Sequence, residues 1–178
     1  MGKIFKFGCL GFIGLIVLGI IAASLGGGDD KKEQSSTESK QETTAPVAKE
    51  GESSNVKIAV GSVESVDSVG GEYLKEKAQG MFKVVEVTVT NNQKDAITVD
   101  ANSFKLVDNK DREFTYSTQA QTAFDVGNGG QSDFFLKQLN PGLSQTGKII
   151  FDVPADAQGL VLKARGGMTG KEIKLKVE

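Results

Sequence analysis

The sequence predicts an all-β domain, an antiparallel sandwich or barrel, preceded by a single membrane-spanning segment and a polar linker. Three observations predict it. Apolar residues make up 38% of the 178 positions but are unevenly placed: positions 7–25 hold 14 in 19, positions 29–55 only 3 in 27, and positions 56–178 hold 48 in 123. From Val56 onward, apolar residues alternate in short runs between turn residues, the period-2 signature of strands. No stretch of that region reads as the crossover helix that a parallel sheet requires.

Residues 1–28 form the first element. No charge lies between Lys6 and Asp29, and a helix over the core 7–25 spans about 28 Å, close to the hydrocarbon thickness of a bilayer. Lys3 and Lys6 precede it, so the positive-inside rule places the N-terminus in the cytoplasm and the rest outside. Ala22-Ala23-Ser24 offers a cleavage site near Ser24, and cleavage there yields a secreted domain. The apolar run exceeds a usual signal-peptide core, which favours an uncleaved signal anchor. A lipoprotein signal places its cysteine after the apolar run, whereas Cys9 lies at its start. Lys6 stands where a myristoylation motif wants Ser or Thr. Gly8, Gly11, Gly14 and Gly19, with Ala23 four residues after Gly19, offer a flat face through which a homo-oligomer can pack.

Residues 29–55, rich in Ser, Thr, Glu, Lys and Gln, bury too little apolar surface to offset ordering entropy and are expected to form a disordered linker. The domain is expected over 56–178. In it, Val85, Val87 and Val89 share one strand face, with Glu86, Thr88 and Thr90 on the other, and Asn91-Asn92 mark a turn. Ala96–Val99 and Phe104–Val107 are short strands, and the DNKD stretch from Asp108 turns the chain into Glu113–Tyr116. Thr118–Phe124 is the one plausible helical turn. Asn140-Pro141-Gly142 fits a type II turn, since proline presets φ at its second position and glycine accepts positive φ at its third. Ile149, Phe151 and Val153 then alternate with Lys148, Ile150 and Asp152 until Pro154 ends the strand. Gly159–Ala164 and Ile173–Val177 complete eight or nine short strands, at the spacing of a sandwich or barrel.

These residues carry a resemblance. Thr90-Asn91, Phe104-Lys105-Leu106-Val107-Asp108, Pro141-Gly142, and Gly147 through Pro154 follow one another in an order that resembles the bacterial extracellular immunoglobulin-like domain family of unknown function. Members are membrane-anchored or lipoproteins, and the family is related to a secreted actinobacterial immunogenic antigen. The match covers about 57–177. The resemblance implies an immunoglobulin-like antiparallel β-sandwich outside the membrane, with Phe104, Leu106, Phe151 and Val153 in its core, and it brings no catalytic residues with it.

The chemistry points the same way. The chain has no His, no Trp and one Cys, which removes His-dependent mechanisms, an intrachain disulfide and Cys/His zinc sites. No nucleophile elbow or P-loop is present, and Ser36, Ser39 and Lys40 fall in the linker, where no site can be preorganised. Basic residues are interleaved with acids along the domain, which argues against nucleic acid. Asp125 through Asp133 is a glycine-rich loop with oxygen ligands that lacks EF-hand spacing; Asp108 with Asp111 is a weaker candidate for the same ion. Phe134-Phe135-Leu136 has no alternation. It reads as a strand buried on both faces, or as an exposed aromatic beside a loop that makes a contact patch.

The expectation is therefore a membrane-anchored, extracytoplasmic binding or adaptor module with no catalysis, no catalytic, cofactor-binding or metal residues and no cofactor. Its partners are the membrane and an unidentified extracytoplasmic protein or envelope ligand, reached through loops 108–113 and 118–133. Alternatives are a self-associating structural or envelope-stress protein and, at lower weight, a calcium-dependent binding module.

Overall fold

The computed structural model describes residues 47–178. The expected membrane segment over 7–25 and the linker as far as 46 lie outside the described residues. No helix among the described residues is long and apolar enough to cross a membrane.

The chain forms β1 (Glu50–Ser53), β2 (Val56–Gly70), β3 (Lys75–Asn91), β4 (Ile97–Val99), a 3₁₀ turn at Ala101–Ser103, β5 (Phe104–Val107) and β6 (Glu113–Phe114), then helix α1 (Thr118–Gly127), β7 (Lys137–Leu139), β8 (Ser144–Val153), β9 (Val161–Arg165) and β10 (Glu172–Lys176). One sheet runs β1-β2-β3-β8, a second runs β10-β9-β5-β6, and β4 pairs β7 in a ribbon. Every pairing is antiparallel.

The inner faces meet as a sandwich. Ile58, Val85, Val87, Ile149 and Phe151 from the first sheet pack with Phe104, Leu106, Leu162, Ala164 and Leu175 of the second, all at most 1% exposed. Burying each large side chain contributes about 1.5–3 kcal/mol, so this interface is the main source of stability. The first sheet is also covered on its outer face. Phe82, Val84, Ile150 and Val69 form a second cluster with Ala120, which lies on α1. Ile150 does alternate away from Phe151, as expected, but the helix buries it.

Helix α1 also satisfies the free edge of β8. The Ile150 N–H donates to Gln121 Oε1 (3.1 Å), Gln121 Nε2 donates to the Lys148 carbonyl (3.1 Å), and the Ser117 N–H donates to the Ile150 carbonyl (2.8 Å). Ser117 caps the helix, its Oγ accepting from the Ala120 N–H.

Four expectations need correction. The linker does not extend to 55, because Glu50–Ser53 is a strand of the first sheet. Its sequence, EGES, has no apolar residue and joins through backbone pairing and one hydroxyl: Ser53 Oγ donates to the Lys171 carbonyl and accepts from the Gly166 N–H. The hairpin that follows turns through Ser54 and Asn55, both at positive φ (52° and 60°), a type I′ geometry usually announced by glycine. The strands are not all short: β2 has 15 residues and β3 has 17, with register shifts at Val60/Val63 and Val66/Ser68 that break the alternation a sequence reading follows. The helical turn at 118 is a ten-residue helix that takes Asp125 and Gly127 out of the supposed loop. Finally, Phe134–Leu136 is not a strand.

The proline-glycine turn is as expected. Gly142 has φ +75°, and the Leu143 N–H donates to the Asn140 carbonyl at 3.2 Å.

Candidate functional site

The segment following α1 builds the most distinctive surface of the domain. Gly129 and Gly130 adopt positive φ (96° and 75°) and redirect the chain off the helix. Phe134 then turns inward, 4% exposed, and its ring lies 5.7 Å from that of Phe104. Its carbonyl accepts from the Ala101 N–H at 2.8 Å. The buried carboxylate of Asp100 holds the next step. One oxygen accepts from the Asn102 N–H (2.8 Å) and from Asn102 Nδ2, and the other accepts from the Leu136 N–H (3.2 Å). Leu136 takes a positive φ of 46° there. The consequence is a displayed pair: Phe135 is 69% exposed and Leu136 57%. An exposed aromatic on an anchored segment is a ready contact group.

Phe135 stands between two concavities. One, of about 480 Å³, is lined by Leu136, Met168, Lys105, Lys163, Arg165 and Glu172 among others. The other, of about 280 Å³, lies along α1 and is lined by Tyr116, Thr118, Thr122, Asp125 and Ser132 among others. Met168 is 66% exposed, so three large apolar side chains sit at the first concavity's rim.

Its floor is the outer face of the second sheet. There Lys105 pairs in register with Lys163, and Lys163 with Lys174, so three lysines cross three strands in one row. Glu113 lies between two of them and bonds Lys105 (2.6 Å) and Lys163 (2.9 Å). The hydrogen bond from Lys105, then that from Lys163, lowers the Glu113 carboxyl to about 2. Glu172 bonds Arg165 at 3.3 Å.

The other expected loop is occupied with its own charges. Asp108 accepts from the backbone N–H groups of Lys110 and Arg112 (both 2.9 Å) and from Arg112 Nε (2.7 Å), while Arg112 also reaches Asp156 at 3.0 Å. Burial pushes the Asp108 carboxyl up, but the hydrogen bonds from Arg112 and Lys110 outweigh it and hold the group below its ordinary value. Asp108 is thus the anchor of a turn, and Asp111 stands outside that bond set. Asp125 accepts from Gln121 (3.0 Å), and Asp133 accepts from Gln145 (3.2 Å). Among the described residues, no three His, Cys, Asp or Glu side chains gather as a metal ion requires.

In the sequence, Phe134–Leu136 stands out by its lack of alternation, whereas Met168 and the lysine row do not. The spacing of Lys163 and Arg165, and of Lys174 and Lys176, already puts each pair on one strand face. Only the register brings those faces together.

A family model described as a domain of unknown function, DUF4352, matches residues 48–174. The chain belongs to the DUF4352 family. The match begins at Ala48, so it includes β1 and agrees with the corrected domain boundary. No curated protein matches the chain. Among solved structures, a conserved hypothetical protein from Bacillus anthracis is similar to the DUF4352 domain at 20% identity, with a TM-score of 0.55 over 74% of this chain and 95% of that one. The ycdA protein of Bacillus subtilis, described as a candidate lipoprotein, is similar at 18% identity, with a TM-score of 0.55 over 74% of this chain and 38% of that one. The secreted protein MPT63 of Mycobacterium tuberculosis is more distant, at 18% identity and a TM-score of 0.47 over 68% of this chain and 82% of that one. The first two share the β-sandwich fold with the DUF4352 domain.

Proposed function

We propose that this chain is a membrane-anchored, extracytoplasmic binding module, with an immunoglobulin-like sandwich that holds its ligand at the Phe135 surface and performs no catalysis. The observation that carries the reading is the display of Phe135, Leu136 and Met168 at one concavity by an otherwise satisfied framework. A buried carboxylate spends its hydrogen bonds positioning that segment, which is the preorganisation a binding site needs. The extracytoplasmic placement is supported by the apolar 7–25 segment with Lys3 and Lys6 before it. A fold shared with a protein described as a candidate lipoprotein is consistent with it.

Two measurements test the proposal. Protease added to intact protoplasts expressing the full chain is expected to digest the domain and spare a cytoplasmic marker; a protected domain overturns the topology. Envelope material retained by immobilised 47–178 is expected to fall when Phe135 and Met168 are replaced by serine. Equal retention by both proteins overturns the assignment of the surface.

A further inference from the structure

We infer that the outer face of the second sheet, together with Phe135, Leu136 and Met168, docks on an anionic phospholipid bilayer. The inference rests on the anchored reading above, which sets a membrane beside the domain. Among the strand residues, Lys105, Lys163, Arg165, Lys174 and Lys176 point outward from β5, β9 and β10 against Glu113 and Glu172, a count of +3, with Asp100 in the lining of the concavity and Asp111 within electrostatic reach of Lys163. The described residues as a whole carry 16 Lys/Arg and 18 Asp/Glu, a net −2, so all those outside these strand positions, buried Asp100 and Asp108 included, carry −5. The charges that alternate along the sequence are segregated by the fold.

The fold leaves part of that segregation unrelieved. Like charges placed directly opposite across strands are destabilising. Glu113 and Glu172 neutralise part of the row by bonding Lys105, Lys163 and Arg165. Lys174 and Lys176 are exposed and make no ion pair among the described residues. They are free to meet an external anion.

A soluble polyanion needs cations and has no use for an apolar rim. Phe135, Leu136 and Met168 border the same concavity as Lys105, Lys163 and Arg165. Apolar side chains that enter the headgroup layer, flanked by lysines that meet lipid phosphates, are the physical signature of an interfacial binder.

Co-sedimentation of the domain 47–178 with vesicles tests the inference. This segment contains both hydrophobic clusters. The same fold makes up 95% of the Bacillus anthracis chain, and a cooperative melting transition of 47–178 is the control that the segment is folded. Binding is expected to vesicles of phosphatidylcholine with about one third phosphatidylglycerol and not to phosphatidylcholine alone, and to weaken as salt rises. Lys174→Glu with Lys176→Glu is expected to weaken it about tenfold or more, and Phe135→Ser with Met168→Ser about tenfold, with melting temperatures near that of the parent. Should the charge reversal impair folding, Lys174→Gln with Lys176→Gln and the salt titration of the parent replace it. Equal binding to neutral and anionic vesicles, or none to either, overturns the inference. Binding to soluble polyphosphate or to DNA as tight as to anionic vesicles, and indifferent to the serine pair, overturns it in favour of a soluble polyanion. A domain that ignores vesicles yet is digested on protoplasts leaves the extracytoplasmic reading standing.

Discussion

Asp100 shows how one buried side chain connects packing to display. It is 6% exposed, and its two oxygens accept from both nitrogens of Asn102 and from the Leu136 N–H. Asp100→Ala removes the acceptor of three part-buried hydrogen bonds, a loss of about 1–3 kcal/mol, to be read by urea unfolding. The same variant is expected to raise hydrogen exchange at Phe135 and Leu136 while β3 and β8 stay protected. Glu113 gives the residue-scale dependence on pH. Its carboxyl is lowered to about 2 in the folded domain from an ordinary 4.5. The stability it contributes is therefore complete above pH 4.5 and is lost as pH falls toward 2. Melting temperatures measured through that window are expected to fall less steeply for Glu113→Gln than for the parent. Asp108, lowered as well, adds to the slope shared by both proteins.

Among the elements, those whose side chains alternate without interruption were legible, and those held by backbone geometry were not. Val85, Val87 and Val89 read as one face of a strand and lie in the core, as do Phe104, Leu106, Phe151 and Val153. Strand β2 was hidden by its bulges, since the run AVGSVESVDSVG loses period 2 at each shift of register. Strand β1 was hidden because it buries a hydroxyl in place of a methyl group. Helix α1 was seen only in part: its buried face consists of two alanines, Ala120 and Ala123, too small to write a strong periodic pattern. The candidate site was legible to the same degree. An unalternating Phe-Phe-Leu marked the segment, but nothing local reveals that Asp100 turns one phenylalanine in and the next out.

For the whole molecule, β1 is the element that ties the two sheets together along one side. It pairs β2, its neighbour Ala48 accepts from the Lys176 N–H (2.8 Å), and Ser53 reaches Lys171 and Gly166. A domain begun at Ser54 loses these bonds and leaves the Gly166 N–H without its partner. We expect it to unfold at lower denaturant than a domain begun at Val47, by about 2 kcal/mol or more, in equilibrium urea titrations. Equal midpoints would return β1 to the linker. The segregation of charge is also a property of the whole fold. Sequence shows alternation within β9 and within β10, but the lysine row exists only because Lys105, Lys163 and Lys174 share one register.

The side chain of Gln121 acts as a single-residue substitute for a further strand, closing Ile150 and Lys148 where β8 has no neighbour. An unsealed strand edge templates edge-to-edge growth between molecules. Gln121→Ala opens that template, so heated samples are expected to scatter light well before those of the parent, by more than the shift in melting temperature accounts for. On the anchored arrangement proposed above, copies held on one membrane surface meet at high local concentration. For such a population, solubility over time depends on whether this amide keeps neighbouring sheets from joining.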